Sequence, residues 1–183
     1  MRTFILTIAI ISSCIAFSQQ EEERKEQVYE NMANNELKVN MTNLIAFKFV
    51  DFTYERILNE ESSIGASLLF NIDQDGDLDL DEYRKFSFTP YYRHFFIRKY
   101  AKGFFVEAFG MLHSGEEEIF FEIDDQYRGE DYTDFAIGIS AGGKFVTKRG
   151  FIAEVYLGIG RDLIGNSDIE IVGRGGISLG YRF

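Results

Sequence analysis

The chain has 183 residues but only one cysteine, one proline and no tryptophan. The lone Cys14 has no partner within the chain, so no disulfide framework holds this fold. A single proline beside 17 Gly, 10 Tyr and 19 Phe leaves little to interrupt strands and many aromatics to line them. Basic residues are in deficit: 19 Lys and Arg against 30 Asp and Glu give a formal net charge of −11. Without a basic footprint there is nothing to meet nucleic-acid phosphates. Beyond the N-terminal segment no apolar run approaches the roughly 18 residues of a membrane-spanning helix. A mean hydropathy of −0.14 does not separate a soluble protein from a barrel, because lipid-facing residues that alternate with polar ones cancel in the average.

The chain opens with Met1-Arg2 and an apolar stretch from Phe4 to Ile11 broken only by Thr7. Ala16-Phe17-Ser18 then places small residues two apart, as a signal-peptidase site requires. Residues 1–18 are therefore expected to be a signal peptide. A rival reading takes Ile11-Ser12-Ser13-Cys14 as a lipoprotein box with Cys14 lipidated; both readings export the chain. Residues 19–36 are polar and charged with no wide apolar stripe, a solvated periplasmic leader.

From Leu37 onward the dominant signal is a period of two, one face apolar and the other polar, which is the signature of strands. Runs of this kind cover Lys38 to Ile45, Val50 to Ile57, Ile64 to Phe70, Tyr83 to Phe96, Gly103 to Leu112, Thr133 to Val146, Gly150 to Ile159 and Ile169 to Phe183. That makes eight, and small single-chain outer-membrane barrels have even numbers. The connections 46–49, 58–62, 71–82, 97–102, 113–132, 147–149 and 160–168 alternate short and long from the second onward. Tight periplasmic turns and extended outer loops produce that rhythm. The expected fold is an all-β, eight-stranded antiparallel up-and-down transmembrane β-barrel spanning 37–183.

The polar face carries Asp51, Arg93, Glu107, Lys144, Glu154, Arg174 and Arg182, both signs in comparable numbers. A narrow eight-stranded barrel has room inside for side chains only, and there these groups can pair. Facing lipid, each Arg or Lys would cost about 2–4 kcal/mol near the midplane. In the terminal run Arg174 and Arg182 should point inward, with Glu107 and Glu154 as candidate partners, while Ile171, Ile177 and Leu179 face lipid. The run ends on Tyr181 and Phe183, the form of the C-terminal signal read by barrel-insertion machinery. Outer-membrane lipid and that machinery are the expected partners, and the outer membrane of a Gram-negative bacterium the expected location.

Five stretches stand out together: Thr89 to Phe96, Gly103 to Gly110, Gly142-Gly143-Lys144 with Lys148 to Phe151, Gly158 to Arg161, and Gly173 to Gly176 running to Gly180 to Phe183. They resemble a family of small exported outer-membrane barrel proteins from bacteria related to flavobacteria. The resemblance spans about residues 37–183. It implies an eight-stranded barrel and no established activity.

Asn71 to Glu82 reads NIDQDGDLDLDE and aligns with the twelve-residue calcium loop of EF-hands. Asn71, Asp73, Asp75, Asp77, Asp79 and Glu82 supply oxygens, Gly76 the sharp turn and Leu78 the apolar anchor. A hard cation needs six to eight such oxygens. The flanks read as strands, not as the helix pair of an EF-hand, so a solvated acidic surface loop is the competing reading. His113-Ser114 with Glu116, Glu117 and Glu118 invites a lipid-hydrolase reading, but neighbours on a strand point to opposite faces and share a proton poorly. His94 reads as interfacial or structural, and the acidic run with Asp124, Asp125, Glu130 and Asp131 as a solvated loop. Gly173 to Gly176 precede no helix, so they are not a phosphate cradle. The leading expectation is a non-enzymatic envelope barrel with acidic outer loops, needing no cofactor. A calcium-dependent adhesion module through 71–82 comes second and a lipid-modifying hydrolase third.

Overall fold

The structure is a computed structural model describing residues 33–72, 84–97, 100–121, 126–164 and 171–183. The expected signal peptide and most of the leader lie outside these residues. Eight strands form one closed barrel in chain order: β1 (Asn35–Asn40), β2 (Phe49–Ile57), β3 (Ser62–Asn71), β4 (Phe86–Phe95), β5 (Gly103–Phe121), β6 (Gln126–Val146), β7 (Phe151–Ile164) and β8 (Ile171–Arg182). Every strand pairs antiparallel with its sequence neighbours, and β8 closes on β1 through Leu37↔Tyr181 and Val39↔Leu179. Closure leaves no strand edge unpaired.

At one end the connections are tight. Leu58 and Asn59 both donate to the Ser62 carbonyl, at 3.0 and 3.3 Å. The turn at 147–150 is closed by the Gly150 amide on the Thr147 carbonyl at 3.1 Å. Gly150 there takes φ +89°, which only glycine adopts without strain.

The first strand is shorter at its end than its sequence pattern. The run expected to continue to Ile45 stops at Asn40, and Met41–Ala46 form a short helix, α1. Asn40 caps it: its Oδ1 accepts from the Thr42 amide at 3.1 Å and the Asn43 amide at 3.2 Å, which turns the chain out of the ladder. The same strand starts at Asn35, so the last two residues of the expected leader belong to the barrel.

The expected long loop 113–132 is another correction. There β5 and β6 continue as a hairpin, paired through Glu116↔Asp131 to Phe121↔Gln126. Acidic residues are poor strand formers, but here they extend a ladder already nucleated below. Lys85 helps by donating to Glu116 and, at 3.3 Å, to Asp131.

Two irregularities have local causes. The β4–β5 register runs Phe88↔Leu112 and resumes at Tyr91↔Phe109, because Pro90 has no amide to give. The β6–β7 register shifts between Phe135 and Ala136, where an extra residue bends the strand.

The barrel's polarity is inverted relative to a soluble one. Along β2, Asp51, Thr53 and Glu55 are buried inside while Phe52 and Tyr54 stand outside. Leu157 and Ile139 are 78% and 69% exposed on the outer face, whereas Glu55 is 0% and Arg93 1% exposed within. Ile171, Ile177 and Leu179 point outward.

Glycines let the β5, β6 and β7 backbones pack against inner rings. At Gly138 an added Cβ would stand 2.5 Å from the Ile159 carbonyl oxygen and 2.6 Å from Gly160 Cα, backbone atoms that cannot yield. At Gly143 its nearest neighbour would be Phe104 at 4.0 Å. Gly138→Ala should therefore lower stability in a denaturant titration of the folded barrel by about 1–3 kcal/mol. Gly143→Ala should stay within about 0.5 kcal/mol of the parent. Equal effects at both positions would contradict this packing.

Candidate functional site

The interior divides into a filled half and a hollow half. The filled half lies toward the end where β1 begins and β8 finishes, and Glu55 is at its centre. Its carboxylate accepts from Lys144 Nζ at 2.5 Å, Lys38 Nζ at 2.6 Å, Ser63 Oγ at 2.6 Å, Arg93 at 2.9 Å and the Tyr91 hydroxyl at 3.0 Å. Arg93 in turn donates to Glu107 and Glu154, both at 2.6 Å. Lys38 also reaches Glu154 at 2.9 Å, and Lys144 reaches Glu36 at 2.8 Å. Every one of these groups is essentially inaccessible to water. Such charges are tolerated only when each has its opposite at hydrogen-bond distance.

Aromatic rings complete the filling. The Arg93 guanidinium lies 4.2 Å from the Phe105 ring centroid and 4.6 Å from that of Tyr91. Lys144 Nζ lies 4.9 Å from the Phe95 centroid. Such cation–π contacts stabilise a desolvated cation beyond its ion pairs.

Of the partners expected for the two terminal arginines, one is found. Arg174 donates to Glu107 at 2.5 Å. Arg182 instead binds Glu36 at 2.5 and 2.8 Å, while Glu154 serves Arg93 and Lys38. Glu36 was missed because its polar sequence neighbourhood reads as leader; its place opposite Arg182 in the β1–β8 ladder is what reveals it.

Arg182 also fastens the adjoining connection, donating to the Tyr100 and Ala101 carbonyls at 3.0 Å each. Tyr100 and Ala101 both have positive φ. That backbone turns Ala101 inward against Ile57, Phe95, Phe105 and Tyr156. Burial pushes the Tyr100 phenol above its usual pKa, with Arg182 opposing. The Tyr100 hydroxyl donates to Asn34 Oδ1.

The hollow half, toward α1, encloses about 500 Å³ lined by Asp51, Leu69, Ser87, Met111, Tyr156 and Arg174 among others. Asp51 Oδ2 accepts from Asn43 at 2.8 Å and Asn40 at 3.3 Å, while its Oδ1 is buried without a hydrogen-bond partner. At this rim the hydrogen bond to Glu116 holds the Lys85 ammonium above its usual pKa.

One inward-facing row of the sheet runs Asp51↔Leu69, Leu69↔Ser87, Ser87↔His113 and His113↔Asp134. His113 is buried, and its Nε2 lies 2.9 Å from Asp162 Oδ1 on β7. Ser114 is on the opposite face of β5, so the two residues of the hydrolase reading are not brought together. His94 stands on the outer face with its ring 6.0 Å edge-on from Phe96. Of the calcium loop, Asn71 ends β3 and Ile72 follows it; Asp73, Asp75, Asp77, Asp79 and Glu82 lie outside the described residues.

Removing Glu55 leaves three buried cations short of a carboxylate. Glu55→Ala should destabilise the folded barrel by about 3–5 kcal/mol, the usual cost of stranding a buried charge. Glu61→Ala, at the rim of a turn, serves as the comparison in the same denaturant titration. A Glu55→Ala barrel as stable as the parent would show that the network is not what holds this half closed.

No protein-family model, no curated protein and no solved structure matches this chain.

Proposed function

We propose that this chain is an integral β-barrel of the outer membrane of a Gram-negative bacterium, exported by residues 1–18. It acts without catalysis, either bracing the envelope or presenting its acidic loop end to an extracellular partner. The observation that carries this reading is the inverted polarity of the barrel. Charges fill the inside, and an apolar belt including Phe104, Ile139, Phe145, Val155 and Leu157 covers the outside. In water that belt would forfeit about 25 cal/mol for each Å² left uncovered. In a bilayer it meets hydrocarbon, and the strands keep all their backbone hydrogen bonds among themselves. Tyr181 and Phe183 are on the same outer face, available to the insertion machinery and then to lipid.

A structural or display role follows from the interior. Where Glu55, Arg93, Phe105 and Ala101 meet, side chains occupy the lumen, which supports a barrel that does not conduct.

Folded protein should partition into the detergent phase of a detergent–water separation. It should also migrate faster on a gel when unheated than when boiled, and leave the conductance of a planar bilayer unchanged. A monodisperse, folded protein that stays in the aqueous phase would overturn the membrane reading. Stepwise channels would overturn the filled interior.

A further inference from the structure

His113, Asp134 and Asp162 come from three successive strands and converge inside the barrel. His113 and Asp134 are direct partners in the β5–β6 ladder. Asp162 pairs with Ala136, two places along β6 from Asp134, just past the irregularity at Phe135/Ala136. One ligand atom from each residue lies within 4.8 Å of the others. The closest pair, His113 Nε2 and Asp162 Oδ1, is 2.9 Å apart. Two ligands bound at about 2.1 Å to one ion stand about 3 Å from each other.

A second observation is independent of that spacing. His113 is 1% exposed, and its Nδ1 is buried with no hydrogen-bond partner; Asp162 Oδ2 is buried and equally unmatched. Buried polar atoms are ordinarily satisfied. A hydrogen bond between Asp162 and His113 accounts for one atom of each and leaves these two over. A cation held through Nε2 and by both oxygens of Asp162 uses Asp162 Oδ2, the carboxylate oxygen left over, while Nδ1 is then the ring's N–H.

The geometry points to a divalent transition-metal site formed by His113, Asp134 and Asp162. One imidazole with two carboxylates is a borderline donor set suited to zinc, manganese or ferrous iron, and is too poor in oxygen for calcium. Three protein ligands leave coordination positions open to water or to a ligand atom. Ser87, across from His113, lines the 500 Å³ cavity, which gives the ion a way in from the α1 end. The Tyr132 ring, edge-on to His113 at 6.0 Å, packs beside the imidazole.

The chain has two histidines, which makes the assignment easy to test. Folded barrel in detergent, freed of metal with a chelator and of any affinity tag, is titrated with zinc chloride by calorimetry. One zinc per chain and a raised unfolding temperature are expected. His113→Ala and Asp162→Asn should each weaken binding by at least about tenfold, the scale on which even indirect partners of a metal act. His94→Ala and Glu82→Gln should bind as the parent does. Cobalt should give a visible absorption band in the parent that His113→Ala lacks. Absence of zinc heat, or parental affinity in Asp162→Asn, would overturn the site. Loss of binding in Glu82→Gln instead would do the same, moving the ion to the acidic loop. Should His113→Ala fail to fold, Asp162→Asn and the cobalt spectrum of the parent decide the question.

Discussion

The fold depends on keeping Glu55 and Arg93 together in a place that water does not reach. Each alone would be prohibitively costly there; together with Lys38, Lys144, Glu107 and Glu154 they form a mesh in which every charge touches its opposite. The members come from β1, β2, β4, β5, β6 and β7, so the mesh cannot form until six strands are in register. Replacing a buried ionic cluster by well-packed apolar groups is often neutral or stabilising, so stability alone does not explain an interior of this kind. What the charges supply is a polarity opposite to that of the outer face. A one-residue slip of β2 against its neighbours would turn Asp51, Thr53 and Glu55 outward and Phe52 and Tyr54 inward. With apolar residues on both faces the same slip would carry little penalty.

The two halves of the interior follow from what closes each end. At one end the Arg182 fork joins Glu36 on β1 to the carbonyls of Tyr100 and Ala101, so a terminal strand, its closing partner and a turn share one guanidinium. The left-handed backbone at Tyr100 and Ala101 is held there by the Arg182 hydrogen bonds to both carbonyls and by the full burial of Ala101, surroundings of the kind in which such conformations persist. At the other end α1 leaves the ladder at Asn40, and the β5–β6 hairpin rises beyond the neighbouring strands. Among the described residues, Phe49 and Tyr156 line the cavity beside Asp51 without filling it.

Most of the barrel was legible in the sequence because its governing period is two and its two faces differ in kind. The eight runs, the inward turn of Arg93, Glu107, Lys144 and Glu154, and the outward turn of Ile171, Ile177 and Leu179 all follow from alternation. Alternation fails where local chemistry competes with it. At Asn40 a side-chain cap diverts a run whose pattern continues to Ile45. At Glu116 to Asp131 strand pairing prevails over an acidic composition that reads as loop. Glu36 was missed for a different reason: it shares the inward face of Lys38 and Asn40 but abuts a polar stretch that reads as leader, and its partners Lys144 and Arg182 are what mark it.

The His113 cluster shows the limit most sharply. The sequence draws attention to His113, but the carboxylates found beside it, Asp134 and Asp162, come from other strands. A strand presents residue i beside the residue opposite it on the next strand, so the partners of His113 are fixed by register. Asp134 follows from the β5–β6 pairing, which a hairpin reading of the sequence approximates. Asp162 requires a further strand: it pairs with Ala136 in the register that runs unbroken from Val146↔Ile152, and its inward place on β7, two strands from β5, brings a carboxylate to the imidazole. A contact that skips a strand leaves no signature in a period-two pattern until all three strands are aligned. The one carboxylate bonded to His113 is therefore also the one that no inspection of spacing could have supplied.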